Sequence, residues 1–276
     1  MKWENQKCTG KYPPCLMGHS MNLYKTKEKS YLLLFGGMTN ETVPSGSLYV
    51  LNLHTLKWKC VILDGSAPTA RACHGAAMLN NRLYIFGGYG KARGREEGGD
   101  VFLNDLYELD LDKRVWRQIE SEGSPAARHS HTLTAVGNRL VVYGGQGESG
   151  KLGDAHVLVV KEKEANWRCL EAVGEVPHAR CSHSAIALPF TCRILVFFGM
   201  IDHKGNKKKE NCVNDLYELD IGNFQKSQKM KINFFLCIKK LLIKNNFLQR
   251  QRGGRSGMHQ TSTLHALLQE QNSVQR

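Results

Sequence analysis

The sequence predicts an all-β chain built from about four copies of one four-stranded antiparallel sheet, set side by side around a common axis. Three observations carry this reading. Tryptophans stand at 3, 58, 116 and 167, and each is followed seven residues later by a glycine, at 10, 65, 123 and 174. Each glycine leads into a stretch that ends in an apolar run and a glycine pair. These are PTARACHGAAMLNNRLYIFGG at 68–88, PAARHSHTLTAVGNRLVVYGG at 125–145, PHARCSHSAIALPFTCRILVFFGM at 177–200 and the weaker PPCLMGHSMNLYKTKEKSYLLLFGG at 13–37. A third segment then recurs: SLYVLNL at 47–53, NDLYELDL at 104–111, GDAHVLVV at 153–160 and NDLYELDI at 214–221. Landmarks in register at a period of about 50 residues are the signature of a repeat architecture.

Within one unit, the run after His131, then LVVYGG, then AHVLVV, then the segment around Trp167 are short and rich in β-branched and aromatic residues, as strands of one antiparallel sheet are. Such a sheet cannot bury both faces alone, so neighbouring sheets must stack around an axis as the blades of a propeller. Gly36 and Gly37, Gly87 and Gly88, and Gly144 and Gly145 are expected to end an inner strand where the backbone needs positive φ or close approach. Trp58, Trp116 and Trp167 are expected to pack between blades, with Tyr49 and Tyr107 nine residues before two of them. Asn104, Asp105 and Asp154 are expected to open the third strand by bonding turn backbone.

The unit W-x6-G-x(1 or 2)-P-x-x-R-x-x-H, apolar run, GG resembles the kelch repeat, and the resemblance covers residues 3 to 221. It implies a kelch-type β-propeller of about four blades, with units near 13–58, 68–116, 125–167 and 177–221 and an outer strand within 1–9, so that 1–222 is the repeat region. The nine-residue interval from Tyr217 calls for a tryptophan at 226, where the chain has Lys226. Residues 223–276 therefore read as a basic non-repeat tail, partly disordered or helical. Two readings of the ending stay open. In one, the strand at Trp3 completes the last unit and closes a four-bladed ring, as kelch propellers exchange terminal strands. In the other, which we prefer, the repeats are an incomplete set from a larger propeller.

The chain of 276 residues is 41% hydrophobic, enough for one large β domain. Its net charge of +13 is concentrated beyond residue 221, where ten lysines and arginines face one acidic residue. MKWENQK runs straight into the repeat, so no secretory leader is expected, and INFFLCIKKLLI at 232–243 is too short and too charged for a membrane span. Nine cysteines without C-x-x-C spacing fit free thiols in a reducing compartment, giving a cytoplasmic or nuclear expectation. Cys60 and Cys169, each two positions after a blade tryptophan, read as packing residues. A lone RGG in the tail makes nucleic acid an unfavoured partner.

His19, His74, His131 and His183 share one register, and their repetition in every unit points to a frame bond rather than a metal site. Arg71, Arg128 and Arg180 stand where the inter-blade connection enters the inner strand. There their guanidinium forks would hold an acidic peptide, or else bond carbonyls of the neighbouring blade. The stretches after the glycine pairs, YGKARGREEGGDVF at 89–102 and IDHKGNKKKENCV at 201–213, are where repetition stops and where recognition on a rigid scaffold is expected. Lys91, Arg93, Arg95, Lys207, Lys208 and Lys209 are the basic candidates. The kelch resemblance also brings enzymes into view, copper oxidases and specifier proteins with a ferrous E-x3-D-x3-(H/D) site. Glu96, Asp100 and Asn104 match that spacing but end in an amide, and no nucleophile elbow or phosphate loop is present. The leading reading is a non-enzymatic interaction module, scaffold or adaptor without metal or cofactor, binding another protein through the loop-bearing face. A ubiquitin-ligase substrate receptor is an alternative reading, and a metal-dependent enzyme the competing class.

Overall fold

The computed structural model describes residues 1–40, 42–91, 94, 99–160, 165–203, 206–222 and 231–236, with backbone alone at 203, 206–210 and 231–236. Every regular element among them is a β-strand. Blade 1 comprises β1 (Thr9–Gly10), β2 (Ser20–Lys25), β3 (Ser30–Phe35), β4 (Leu48–Asn52) and β5 (Lys57–Val61). Blade 2 comprises β6 (Asp64–Gly65), β7 (Arg71–Ala72), β8 (Gly75–Leu79), β9 (Arg82–Gly90), β10 (Val101–Asp110) and β11 (Val115–Ile119). Blade 3 holds β12 (Thr132–Val136), β13 (Arg139–Gly147), β14 (Gly150–Val160) and β15 (Ala165–Gly174). Blade 4 holds β16 (Ser184–Ala187), β17 (Arg193–Phe197), the hairpin β18 (Met200–His203) and β19 (Asn206–Cys212), then β20 (Leu216–Asp220) and β21 (Lys231–Leu236).

Each blade is a four-stranded antiparallel meander whose register is pinned by one repeated pair. Leu51 faces Trp58, Leu109 faces Trp116 and Leu158 faces Trp167 across the two outer strands. The glycine seven residues after each tryptophan then crosses to the next blade and pairs in parallel with its outermost strand. Gly10 meets Trp58, and Gly65 meets Trp116. A side chain is excluded there, because a Cβ on Gly65 would lie 2.0 Å from the Trp116 carbonyl oxygen. The sequence thus stitches each blade to its successor at the rim.

Inner strands neighbour one another in the series β2, β8, β12, β16, and no comparable contact returns from β16 to β2. Three apolar cores fill the three junctions. Leu33, Phe35 and Leu48 of blade 1 meet Leu83, Ile85, Tyr107 and Trp116 of blade 2. Equivalent sets join blades 2 and 3, and blades 3 and 4. Trp116 lies 5.6 Å from Phe35, and Trp167 lies 5.1 Å from Phe86, so each packs on the aromatic preceding the glycine pair of the previous blade. Trp58, with no described blade before it, is only partly buried.

The fourth blade departs from the sequence reading. Residues 231–236 belong to the repeat region, since β21 pairs antiparallel with β20 and parallel with β15. Leu219 faces Phe234 and Gly174 meets Phe234, so Phe234 holds the register position of the blade tryptophans. The expected position 226 fails because the connection from β20 is longer than in the other units. Trp3 is 93% exposed and residues 1–8 lie outside any strand, so the N-terminal segment does not complete blade 4. Cys60 is half-buried and Cys169 exposed, so Cys169 is not a packing residue.

Candidate interaction face

The residues that repeat most strictly lie at the lip where each blade begins its inner strand. Arg71 is fully buried, and its five N–H groups are all engaged. Nε donates to the Thr69 carbonyl, Nη1 to the Gly87 carbonyl and to Asp105 Oδ1 at 2.6 Å, and Nη2 to Thr69 Oγ1 and to Asp105 Oδ2 at 2.9 Å. Arg128 repeats this with Asp154 at 2.8 and 2.8 Å, and Arg180 with Asp215 at 2.6 and 2.8 Å. A bulge after Leu103 turns Asp105 towards its arginine, as bulges re-aim side chains. Burial alone would raise the Asp154 pKa, but hydrogen bonds from Arg128 and His156, with the Arg128 charge, hold it well below the usual carboxylate range.

The structure therefore revises the sequence reading of this ring. Arg71, Arg128 and Arg180 are 0% exposed and bond aspartates of their own blade. They neither line an open mouth nor cross to a neighbour's carbonyls, because a desolvated guanidinium needs a paired counter-charge close by. Asp105 and Asp154 accordingly serve arginines rather than turn backbone. Blade 1 has Leu16 and Ser47 at the two positions, having lost both members together.

The lip also joins blades. The residue before each histidine is left-handed: Gly18 at φ 69°, Cys73 at 53°, Ser130 at 54° and Ser182 at 52°. This conformation directs the amides of the last three onto the preceding blade, so that Cys73 donates to Gly18, Ser130 to Cys73 and Ser182 to Ser130, at 2.7, 2.7 and 2.9 Å. The histidines sit edge-on to the preceding blade's aromatic, His74 on Phe35, His131 on Phe86 and His183 on Tyr143. Nε2 of His74 bonds Ser20 Oγ at 2.8 Å, and that of His183 bonds Thr132 Oγ1 at 3.0 Å. His131 lacks this bond because Gly75 occupies the hydroxyl position; both its ring nitrogens are unpaired. Burial, reinforced by the lip arginines, lowers the pKa of His74 to about 3 and of His183 to about 4, and lowers that of His131 well below the usual range. No group of three or more metal-ligating side chains is assembled among the described residues.

Above the lip, the residue after each arginine position, Leu16 in blade 1, bridges to the residue after each glycine-pair position: Met17 with Met38, Ala72 with Tyr89, His129 with Gln146 and Cys181 with Met200. These positions ring the mouth of the array and no two blades carry the same pair, although methionine follows the glycine pair in both blade 1 and blade 4. Over blades 2 and 3, Tyr89, Phe102 and His129 form one group, with centroid separations of 6.0, 4.7 and 6.2 Å; burial lowers the His129 pKa. Between blades 3 and 4 an open cleft of about 510 Å³ is lined by His129, Gln146, Glu148, Lys151, Met200 and Asp202 among others. Lys151, next to the tip of the blade 3 hairpin, reaches Asp202 of blade 4 at 2.7 Å and ties the two hairpins together.

Of the basic candidates, Lys91 is partly exposed and lies 3.7 Å from Asp100. Arg93 and Arg95 fall outside the described residues, as does Glu96, and Lys207, Lys208 and Lys209 are described as backbone within β19. The sequence reading held Tyr89, Phe102 and Asp202 within its two recognition stretches without singling them out, and passed over His129 and Lys151. Their signal was negative, a break in repetition beside residues that repeat strictly.

The comparisons with known proteins agree with this geometry. Residues 1–163 and 93–233 match the family model described as the KLHDC2/KLHL20/DRC7 Kelch-repeats domain. Kelch domain-containing protein 3 is similar over 203 residues at 28% identity in Rattus norvegicus, covering 70% of this chain and 49% of the relative. In Homo sapiens it is similar over 164 residues at 32%, covering 56% and 41%. Adagio-like protein 3 of Oryza sativa is 34% identical over 198 residues, covering 69% of this chain and 29% of the relative. The chain thus spans half or less of the length of these curated relatives. Among solved structures, that of YjhT superposes with a TM-score of 0.59 at 15% identity, covering 78% of this chain and 71% of the other, a likeness of fold. With its landmarks, blades and family match in agreement, the chain belongs to the kelch-repeat β-propeller family.

Proposed function

We propose that the chain is a non-catalytic interaction module that binds another protein through the face carrying its post-glycine hairpins, as a scaffold or adaptor. Kelch propellers generally bind other proteins, which supports the coarse reading. The observation that carries the finer one is the division of labour across the lip. Residues that repeat are consumed by the frame, whereas those that differ, Tyr89, Phe102, His129 and Gln146, gather at one mouth beside a cleft. Aromatic side chains of this kind supply contact area at little entropic cost. With the arginine ring withdrawn into the blades, an acidic ligand would depend on Lys91 and the basic residues 93, 95 and 207–209. The partner therefore docks chiefly on the aromatic group and cleft. The eight described cysteines form no disulfide with one another, which supports a reducing compartment, cytoplasmic or nuclear.

The test is affinity capture with the wild-type chain and a Tyr89→Ser/Phe102→Ser variant, beside a control that neutralises Lys91, Arg93 and Arg95. Partners retained by the control and lost by the aromatic variant support this reading. Retention by the aromatic variant refutes it.

A further inference from the structure

Blade 4 breaks the repeat at one position whose geometry is defined three times over in the same molecule. The first glycine of each pair, Gly36, Gly87 and Gly144, has φ of 66°, 59° and 60°. In blade 4 the position is Phe198, at φ 63°. A phenylalanine is a rare occupant of this left-handed region.

The three glycines are required by the blade that follows. A Cβ on Gly36 would lie 2.6 Å from the Arg71 carbonyl oxygen and 2.9 Å from His74 Cε1. On Gly87 the corresponding distances are 2.9 Å to Arg128 and 3.1 Å to His131, and on Gly144 they are 2.7 Å to Arg180 and 2.9 Å to His183. The next blade's lip rests directly on the glycine, leaving no room for a side chain. Among the described residues no following lip lies over Phe198, which is 54% exposed.

Otherwise the two ends of the array are matching halves of an inter-blade joint. Every internal junction is closed by the second glycine's amide donating to the next lip, Gly37 to Arg71, Gly88 to Arg128 and Gly145 to Arg180. It is closed again by the amide link between left-handed residues, and at two junctions by a hydroxyl–histidine bond. At the blade 4 end, the Gly199 amide, the Ser182 carbonyl and the Ser184 hydroxyl stand in these positions. At the blade 1 end stand the Leu16 carbonyl, the Gly18 amide and the exposed His19 ring. Among the described residues no inter-blade bond joins these groups. Apolar side chains flank both ends. Met21 and Leu23, in register with the interface residues Ala76 and Met78, are 49% and 45% exposed, and Ile186 is 57% exposed.

We propose that Phe198 is a stop residue, which keeps the blade 4 end of one copy of this chain from receiving the blade 1 lip of a second copy. A heterologous joint of that kind repeats without closing and builds open chains of molecules, and an unguarded sheet edge invites such growth. One side chain placed where only hydrogen fits removes the joint while leaving its other groups intact.

The test is sedimentation velocity over a range of concentrations, on the full chain carrying Phe198→Gly, Phe198→Ala or Phe198→Gly/Leu23→Asp, beside the wild type. Alanine retains the Cβ that collides with the lip, so Phe198→Ala is expected to behave as the wild type. Phe198→Gly is expected to self-associate at concentrations at least tenfold lower, and Leu23→Asp, which charges the opposing face, to abolish that gain. The proposal is overturned if the glycine variant sediments like the alanine variant, if the wild type associates as tightly as the glycine variant, or if Leu23→Asp leaves the association unchanged.

Discussion

Removing Arg71 alone leaves a largely desolvated carboxylate at the lip of blade 2. Arg71 is fully buried and the Asp105 side chain is 17% exposed, so the Arg71→Leu variant strands Asp105 without its counter-charge and frees the Gly87 and Thr69 carbonyls. Breaking a buried pair from one side costs about 3–5 kcal/mol, whereas replacing both partners by fitting neutral residues is often close to neutral. The chain contains its own model for the neutral version, because blade 1 carries Leu16 and Ser47 at these positions. Arg71→Leu is therefore expected to lower the urea midpoint by roughly 1.5–2.5 M for an m-value near 2 kcal/mol/M. Adding Asp105→Ser should restore at least half of that loss, a coupling that a double-mutant cycle reads directly. Equilibrium unfolding followed by tryptophan fluorescence provides the assay. If Arg71→Leu costs under about 1 kcal/mol, or if the two changes simply add, the arginine is not a frame residue and its assignment to the blade interior fails.

Further expectations concern the frame. The folded-state pKa values of His74 and His183 lie below the ordinary 6.5, at about 3 and about 4, so the unfolded chain takes up protons that the folded chain refuses. Stability should be full above pH 6.5 and fall as pH drops towards 4, by about 2 kcal/mol per histidine at pH 5. Urea midpoints across pH 5–7 check this, and a flat profile contradicts it. Trp167→Ala should cost about 3–5 kcal/mol through the cavity left beside Phe86, measured by the same unfolding curves. Gly144→Ala forces a Cβ to 2.7 Å from the Arg180 carbonyl at φ 60° and should cost about 1–3 kcal/mol. Phe198→Ala, in the same backbone conformation with no following lip among the described residues, should change stability far less.

The frame was legible in the sequence because every junction makes the same demand. A blade tryptophan opposite a leucine, a glycine pair under the next lip and a histidine on the previous aromatic must recur wherever one blade meets another. The arginines recur for the same reason, but repetition alone does not say what they bond. The informative signal was the aspartate 34, 26 and 35 residues further on, and the loss of both members in blade 1. The last strand was not legible. Its register position is held by Phe234 after a longer connection, and a spacing rule derived from three short connections cannot anticipate a fourth of different length. The mouth of the array was visible only as the place where repetition ends. Side chains there answer to something outside the frame, and no internal copy exists to read them against.

The relay of amides from Ser182 through Ser130 and Cys73 to Gly18 has a bearing on how the molecule comes apart. Each link spans neighbouring blades and none skips one, so cohesion is passed on strictly from one blade to the next. Blades 2 and 3 are gripped from both sides, whereas blades 1 and 4 are each held by a single described junction. Amide exchange should accordingly be fastest at the two ends and slowest in β9 and β13, with opening that starts at an end and advances one blade at a time.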